Sequence, residues 1–407
     1  MNKLSKILLS VFLGIVVVLG FFTVANRVNE KMMHEYIDTF GAVEIENQLT
    51  PQTDEDGATY FVTDEEFKVM HLTDIHIGGS IISAGKDKMA MNAIAAMVEE
   101  EKPDLIIVTG DISFAVPWGG TLNNRFAHEM FAHFMENLGV WWTVAFGNHE
   151  SENYNPLNRS EVATMYESEN LKYCLFDRGP EDIWGECNHY ISVRNSDGFI
   201  TRSFIMMDTN AYTKDDPLGF AWIYDNIHED QIQWYEDIIT KMNNHNLAHT
   251  EIEEIIDGRI DPVKTMLFVH IPLMEVRDAY NQYVENGESE NLKYLGGSVN
   301  EPNAPYVYCS EISEEMFETM VRRGSTDAMF YGHDHLNNIV LEYEGITLSY
   351  GYAIDYFAYW QIAKSGSQRG CTMIKCSPDG DFDIIHENYY QDKYTPQYEK
   401  ETVDITK

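Results

Sequence analysis

The residues with the clearest chemical potential in this sequence are polar side chains that directly follow short apolar runs. One such place is Gly332-His333-Asp334-His335, which comes after the run 328–331. Side chains two apart on a strand share a face, so His333 and His335 would project together from the end of a strand. This pair alone proves little, because a histidine at a strand end is often structural.

Four earlier segments have the same construction. Their polar residues are Asp74 and His76 after 69–72, Asp111 after 105–108, Asn148 after 143–146, and His270 after 266–269. Two neighbouring divalent cations require a bridging carboxylate, other oxygen ligands and neutral imidazoles. Such a pair clamps a phosphoryl oxygen and lowers the pKa of a bound water. The pattern predicts a dinuclear metal site, and His149 beside Asn148 is left free for work on a leaving group.

The apolar pattern also predicts the elements that position these residues. Strands to Asp74, over 104–109 and over 141–146 alternate with helices over 84–101 and 125–138. This alternation indicates parallel strand pairs in a layered α/β core. Sites in such cores lie beyond the carboxyl ends of the strands, where all the ligand candidates fall. A long loop-rich stretch over 271–310 and a β-meander from 336 to about 385 complete the expectation.

The ordered segments resemble the calcineurin-like metallophosphoesterase superfamily from residue 67 to about 350. They are Asp74-Ile75-His76, Gly110-Asp111, Gly147-Asn148-His149-Glu150, the lone His270, and Gly332-His333-Asp334-His335. The tracts 268–273 and 332–338 more closely resemble a small purple-acid-phosphatase-like subgroup. This resemblance implies an α/β (α+β) fold, a sandwich of two β-sheets flanked by helices.

The resemblance also implies a role for each residue. Asp74, His76 and His335 would hold the first metal, Asp111 would bridge, and Asn148, His270 and His333 would hold the second. His149 would contact the phosphate and protonate the leaving oxygen while a metal-bound hydroxide attacks. Purple enzymes carry a tyrosine where this chain has Phe114, which cannot coordinate a metal. A purple Fe(III) centre is therefore disfavoured, and Mn, Fe, Zn and Co all stay open.

Charge limits the class of partner. Lys and Arg total 28 against 66 Asp and Glu, a net charge of −38. This excess excludes a nucleic-acid surface, which needs clustered basic residues. Anionic substrates would be repelled by the bulk field, so their attraction must come from bound cations.

The N-terminus predicts a membrane segment. Lys3 and Lys6 precede the apolar segment Ile7–Ala25, which is long enough to cross the hydrocarbon core of a bilayer. We expect a short tail over 1–6 and a signal anchor over 7–26, with a cleaved signal and secretion as the alternative. Lys3 and Lys6 favour a cytoplasmic N-terminus and a catalytic domain outside the cytoplasm, although Arg27 and Lys31 nearly balance them.

The rest of the chain divides into three parts. Residues 27–66 are expected to form a tether with one short helix at most, which holds the domain away from the bilayer. Residues 67–390 form the catalytic domain, and 391–407 form a peripheral tail. His71 should lie on the opposite strand face from His76 and is interpreted as structural. His128, on a predicted helix, is interpreted as a surface or packing residue. The roles of Glu150 and Asp334 stay open.

The leading functional hypothesis is a membrane-anchored, metal-dependent phosphomonoesterase. A phosphodiesterase or pyrophosphatase acting on a nucleotide or lipid-linked substrate is the alternative, because both chemistries use the same metal clamp. A non-catalytic binding protein on the same fold is a more distant alternative. Tyr308, Tyr352, Tyr356 and Tyr359 are interpreted as either packing residues or part of a substrate-binding surface. The oligomeric state is not predicted.

Overall fold

The structure is a computed structural model that describes residues 3–250, 261–359, 362, 369–398 and 400–403. The helices are α1 (Lys3–Ile37), α2 (Ala84–Glu101), α3 (Asn124–Leu138), α4 (Arg159–Tyr166), α5 (Glu229–Ala248), α6 (Met274–Asn286) and α7 (Met316–Arg323). The strands are β1 (Gln52–Thr53), β2 (Thr59–Val62), β3 (Phe67–Leu72), β4 (Leu105–Thr109), β5 (Trp141–Ala145), β6 (His189–Arg194), β7 (Ile200–Met206), β8 (Thr265–Phe268), β9 (Leu292–Gly296), β10 (Thr326–Tyr331), β11 (Val340–Tyr343), β12 (Ile346–Tyr350), β13 (Gly370–Cys376) and β14 (Phe382–Asn388).

The strands form two sheets that pack against each other, which confirms the predicted sandwich. Within the described residues, the larger sheet has the order β1-β2-β6-β7-β8-β10-β12-β11-β9 and the smaller sheet β14-β13-β3-β4-β5. Strands β3, β4 and β5 are parallel, as are β7, β8 and β10. Their carboxyl ends therefore meet along one edge of the sandwich.

The main core lies between the two sheets. Phe67 of the smaller sheet stacks on Phe204 of the larger one, with ring centroids 5.8 Å apart. The ring of His71 lies 5.8 Å from both Phe268 and Phe330. His71 is fully buried and its Nε2 is hydrogen-bonded to Thr109 Oγ1 at 2.7 Å. This placement agrees with the structural role expected for His71.

The N-terminal region differs from the expected tether. Helix α1 continues beyond the apolar segment to Ile37, and it packs on α2 and α3. Strands β1 and β2 then extend the larger sheet, where β2 pairs in parallel with β6. These segments show no local periodicity, because their stability comes from contacts with distant parts of the chain. By length and composition α1 is a candidate membrane span or signal sequence.

Three other segments differ from expectation. The stretch 271–310 contains α6 and β9, so it is less loop-rich than its polar composition indicated. Strand β13 joins the smaller sheet beside β3 and not a meander with β12. In the C-terminal tail, Tyr394 is buried and its hydroxyl donates to Glu101 at 2.5 Å. Residues 1–2, 399 and 404–407 of the two tails lie outside the described residues.

His128 of α3 connects the helix layer to the loop that follows β5. Its Nε2 donates to the carbonyl oxygen of Glu150 at 2.9 Å, and its Nδ1 accepts from Tyr166 Oη at 2.8 Å. The ring is fully buried, and burial lowers its pKa from 6.5 to about 4. His128 is therefore a neutral hydrogen-bonding residue of the core.

We predict that acid destabilises the protein partly through His128. Between pH 6.5 and 4 the unfolded chain protonates this residue and the folded chain does not, so stability falls as pH falls. The expected contribution is about 2 kcal/mol between pH 7 and pH 5. Urea unfolding at both pH values should show that the free energy of unfolding falls less between pH 7 and pH 5 for His128→Gln than for the wild type. The exposed His249→Gln is the control, and equal pH dependence in all three proteins would contradict the assignment.

Candidate metal centre

The candidate site lies where the carboxyl ends of five strands meet, three parallel strands of the smaller sheet and two of the larger. Strands β3, β4 and β5 end at Leu72, Thr109 and Ala145, and β8 and β10 end at Phe268 and Tyr331. Each strand is followed within a few residues by sequence-predicted ligands. The smaller sheet supplies Asp74, His76, Asp111 and Asn148, and the larger sheet supplies His270, His333 and His335.

The structure brings the predicted carboxylates and imidazoles together in two groups. In each group, one possible ligand atom per residue lies within 4.8 Å of all the others. The first group is Asp74, His76, Asp111 and His335, and the second is Asp111, His270 and His333. Asp111 belongs to both, as a bridging ligand must. Asn148 lines the same cavity as Asp111 and His333, and its Nδ2 donates to Tyr212 Oη at 3.0 Å.

Several atoms of the two groups and of Asn148 are buried without a hydrogen-bond partner among the described residues. They are Asp74 Oδ1, both ring nitrogens of His76, Asn148 Oδ1 and His270 Nε2. Unpaired buried polar atoms are costly and therefore rare. Asp111 Oδ2 lies 3.3 Å from His76 Nε2 and 3.1 Å from His270 Nε2, without hydrogen-bond geometry. Ligands of one cation lie about 3 Å apart, since each bond is roughly 2 Å long. The donor set fits two divalent cations.

The charges of the site favour ionised carboxylates. Burial would raise the pKa of Asp74, but His335 offsets it and lowers that pKa to about 2. Burial likewise opposes ionisation of Asp111, and His270 holds its pKa well below the usual value. Burial lowers the pKa of His333 to about 3, so this imidazole is neutral and able to coordinate.

Two imidazoles are oriented by hydrogen bonds on their far side. His270 Nδ1 donates to the carbonyl oxygen of Thr109 at 2.6 Å, which leaves Nε2 facing Asp111. His335 Nδ1 donates to Asp355 Oδ2 at 3.1 Å, which leaves Nε2 facing Asp74. Such bonds fix the tautomer and raise ligand basicity. The sequence analysis missed Asp355, although it follows β12 in the same way that the predicted ligands follow their strands.

The backbone at the site is unusual. Asp74, His76, Asp111 and His333 have positive φ angles of 52°, 53°, 51° and 75°. Non-glycine residues rarely adopt this left-handed region, and they do so mainly where the surrounding structure imposes it. A side chain at Gly332 would collide with Thr73 and Asp74. The glycine before His333 is thus required by the close approach of two strand ends.

Glu150 connects the loop after β4 to the loop after β5. Its Oε1 accepts from the backbone N–H of Ile112 at 2.8 Å, and its Oε2 accepts from that of Gly147 at 2.6 Å. Asp334 is also buried, and it accepts from the N–H of Tyr308 at 3.1 Å and from Tyr350 Oη. Both residues therefore hold the loops that carry the proposed ligands, a structural role that the sequence alone left open.

His149 lies beside the two ligand groups and has its own carboxylate partner. Its backbone N–H donates to Asp111 Oδ1 at 2.8 Å, and its Nδ1 donates to Glu152 Oε1 at 2.6 Å. Burial alone would lower the pKa of His149, but Asp111 and Glu152 raise it above the usual value. Glu152 was missed from the sequence because an acidic residue three positions downstream carries no signal of its own.

The ligand groups open into a cavity of about 570 Å³. His149, His333 and His335 line its polar end, and its wall is largely aromatic. Phe114, which the sequence resemblance matches to the purple-site tyrosine, has its ring 5.2 Å from His76 and 5.1 Å from His149. The aromatic set of the sequence analysis divides: Tyr308 and Tyr359 line the cavity, whereas Tyr352 and Tyr356 are buried packing residues.

The two-sheet fold and the paired ligand groups define a dinuclear metallophosphoesterase architecture. Residues 67–337, more than half of the chain, match the model of the calcineurin-like phosphoesterase family. The chain belongs to this family, whose members depend on two metal ions. The resemblance stated from the sequence is thereby confirmed.

Known relatives place the chain near plant purple-acid-phosphatase-like proteins. It is 25% identical over 328 residues to "Probable inactive purple acid phosphatase 28" of Arabidopsis thaliana, covering 74% of this chain and 73% of that protein. It is 26% identical over 327 residues to "Probable inactive purple acid phosphatase 14" of the same plant, covering 74% of each. A crystal structure of a dimetal phosphatase from Danio rerio is similar with a TM-score of 0.48 and 11% identity, covering 81% of this chain and 98% of that one.

We predict that Asp355→Asn weakens metal binding and leaves the fold intact. The amide cannot hold His335 as firmly, and loss of such a partner reduces metal affinity by about 10- to 100-fold. Isothermal titration calorimetry with the metal ion measures the change in its dissociation constant. Asp197→Asn, in the exposed turn between β6 and β7, is the matched control. Unchanged affinity in the Asp355 variant would show that this hydrogen bond does not support a ligand.

Proposed function

We propose that this protein is a phosphomonoesterase that depends on a dinuclear metal centre. The observation that carries the proposal is the pair of ligand groups that share Asp111 at the polar end of an accessible cavity. Asp74, His76 and His335 would hold one cation, and Asn148, His270 and His333 the other. Two bound cations supply the Lewis-acid charge that phosphoryl transfer to water requires.

The protein's own residues supply orientation and proton transfer. Glu152 holds Nδ1 of His149, so Nε2 is the nitrogen available to a phosphoryl or leaving oxygen. His149 is held over the site by the bond from its backbone N–H to Asp111. A positioned imidazole that donates a proton to the leaving oxygen typically contributes 10²–10⁴-fold in rate.

Phosphomonoesters are the preferred substrate class because the tracts 268–273 and 332–338 resemble a small purple-acid-phosphatase-like subgroup. A cavity of about 570 Å³ also has room for a diester or a pyrophosphate, which stay as the alternative. Chromogenic mono- and diesters assayed side by side, after loading with Mn, Fe, Zn or Co, separate these possibilities. The metal is not specified by carboxylate and imidazole ligands.

A non-catalytic role is the second candidate, and the names of the relatives favour it. All three curated relatives found are described as probable inactive purple acid phosphatases. Against this, the present chain retains a residue at each ligand position of the family pattern, and His149 is in place beside them. Loss of a bridging or proton-donating group would favour a binding protein, and none of these groups is replaced here.

We also propose that α1 anchors the protein in a membrane with the catalytic domain outside the cytoplasm. The support is the apolar segment Ile7–Ala25 within α1 and the position of Lys3 and Lys6 before it. Cleavage of the segment and secretion form the alternative. Protease accessibility of the domain in intact cells distinguishes the two sides of the membrane.

We predict that Asp111→Asn abolishes hydrolysis and removes metal while the protein stays folded. The variant lacks the charged oxygen that both ligand groups share. Elemental analysis measures metal content, and phosphate release measures activity. Retention of two metals per chain together with full activity would refute the bridging role.

We predict that His149→Gln keeps its metals but loses most of its turnover. The side chain belongs to neither ligand group, so its removal leaves metal binding intact. The expected loss in kcat is about 10²-fold or more. His249→Gln serves as the control for a histidine far from the cavity. Full activity in the His149 variant would remove its proposed role.

A further inference from the structure

Helix α1 is attached to the catalytic domain along its second half. Asn29, Met33, Tyr36 and Ile37 are buried, at the spacing of one helix face. Tyr36 Oη donates to the carbonyl oxygen of Lys88 in α2 at 3.1 Å, and Asn137 of α3 donates to that of Ile37 at 3.1 Å. The domain therefore does not hang from a flexible linker, and its orientation follows that of the helix.

The apolar half of α1 ends where two loops of the catalytic domain touch it. Asn26 is the first residue after the segment Ile7–Ala25. Its Nδ2 donates to the carbonyl oxygen of Gly120 at 2.9 Å, and its Oδ1 accepts from the N–H of Ile81 at 2.9 Å. When Ile7–Ala25 spans a bilayer, these two loops, 78–83 and 117–122, lie at the membrane surface.

The same two loops expose apolar side chains. Ile81, Ile82 and Leu122 are 39%, 50% and 41% exposed, and Trp118 is 68% exposed. Exposed apolar residues that cluster next to a membrane helix indicate contact with lipid, and tryptophan is enriched at membrane interfaces. We call loops 78–83 and 117–122, which carry these side chains, the membrane-facing loops. Their exposed apolar side chains are continuous with the apolar surface of α1.

The membrane-facing loops also lead directly into the metal centre. Loop 78–83 follows His76, and loop 117–122 follows Asp111 a few residues later. Trp118 lines the cavity, its ring lies 6.4 Å from that of Phe114, and Phe114 lies 5.1 Å from His149. Phe220 and Trp222, also highly exposed, line the same cavity. The cavity thus has a polar end at the ligands and an apolar mouth beside the bilayer.

We infer that the substrate is a phosphate monoester carried by a membrane lipid, which enters the cavity from the bilayer past Trp118. This inference rests on the proposed phosphomonoesterase function. The phosphate group would bind at the ligand groups, while the acyl chains stay in the membrane against the membrane-facing loops.

Full-length protein reconstituted in phosphatidylcholine vesicles and loaded with Mn²⁺ tests the inference. Phosphate release is measured from phosphatidic acid in the same vesicles and from soluble p-nitrophenyl phosphate. The double substitution Ile81→Gln/Ile82→Gln should reduce hydrolysis of phosphatidic acid by about tenfold, since it removes apolar contact with the bilayer. Hydrolysis of the soluble ester should stay unchanged, because neither isoleucine lines the cavity.

Val284→Gln is the matched control. Val284 is an exposed apolar residue of α6, a helix packed on the larger sheet, away from α1. Its variant should behave as the wild type towards both substrates. Equal loss in the control and in the double variant, or no loss in either, overturns the inference. Activity on the soluble ester with none on phosphatidic acid overturns it also, and leaves the proposed function intact.

A second measurement does not depend on activity. A solvatochromic fluorophore attached to Ile82→Cys in vesicles should emit at a shorter wavelength than the free fluorophore in water. It should also emit at a shorter wavelength than the same fluorophore attached to Val284→Cys in vesicles. Equal emission at the two positions contradicts contact between the loops and the bilayer. Absence of phosphate release from every ester would instead contradict the proposed function, and with it the substrate that the inference names.

Discussion

The buried carboxylate of Asp111 is the group on which the rest of the site depends. Oδ2 faces His76 and His270, which follow β3 and β8 in different sheets, and Oδ1 accepts from the N–H of His149 after β5. One side chain at the end of β4 thus contacts residues at the ends of three other strands. Burying an ionised group without compensation costs several kcal/mol. Two cations bound by this carboxylate, the surrounding imidazoles and the nearby unpaired atoms would offset that cost.

This requirement explains features that would otherwise destabilise the fold. Four of the proposed ligand residues adopt positive φ angles, and each such position costs on the order of 1–3 kcal/mol. The loops are held in these conformations by Glu150, which accepts from two backbone N–H groups, and by Asp74, which accepts from Thr73 and from the N–H of His333. Local strain is therefore balanced by buried hydrogen bonds between neighbouring strand ends.

The sequence predicted most of the scaffold, because the relevant signals are local. Helix α2 has the predicted bounds 84–101, since its small apolar residues repeat at helical spacing and Pro103 prevents its continuation. The strands that carry ligands were predicted from short apolar runs. The second half of α1 and strands β1 and β2 were not, because distant partners hold them. Helix α6 was also missed. It buries only Val276 and Ala279, which are too few to form a recognisable apolar face.

The site shows the same division between local and distant information. All seven proposed ligands were predicted, because each belongs to a short motif after a strand. Asp355 reaches His335 across 20 residues of sequence, and Glu152 meets His149 only in the folded loop. Neither contact has a spacing rule that a sequence alone could reveal.

The loops that follow His76 and Asp111 make two sets of contacts, one near the proposed ligands and one with α1. On one side Asp87 accepts from the N–H groups of Gly78 and Gly79, which fixes the loop close to the ligands. On the other side Ser80 Oγ donates to the carbonyl oxygen of Gly119 at 2.5 Å, and Asn26 of α1 binds both loops. A change in the position of α1 would have to move or break these bonds. The position of the helix and the geometry of the candidate metal centre are therefore connected through two bonds of Asn26, one part-buried and one exposed, and through the buried bonds of Asp87 and Ser80.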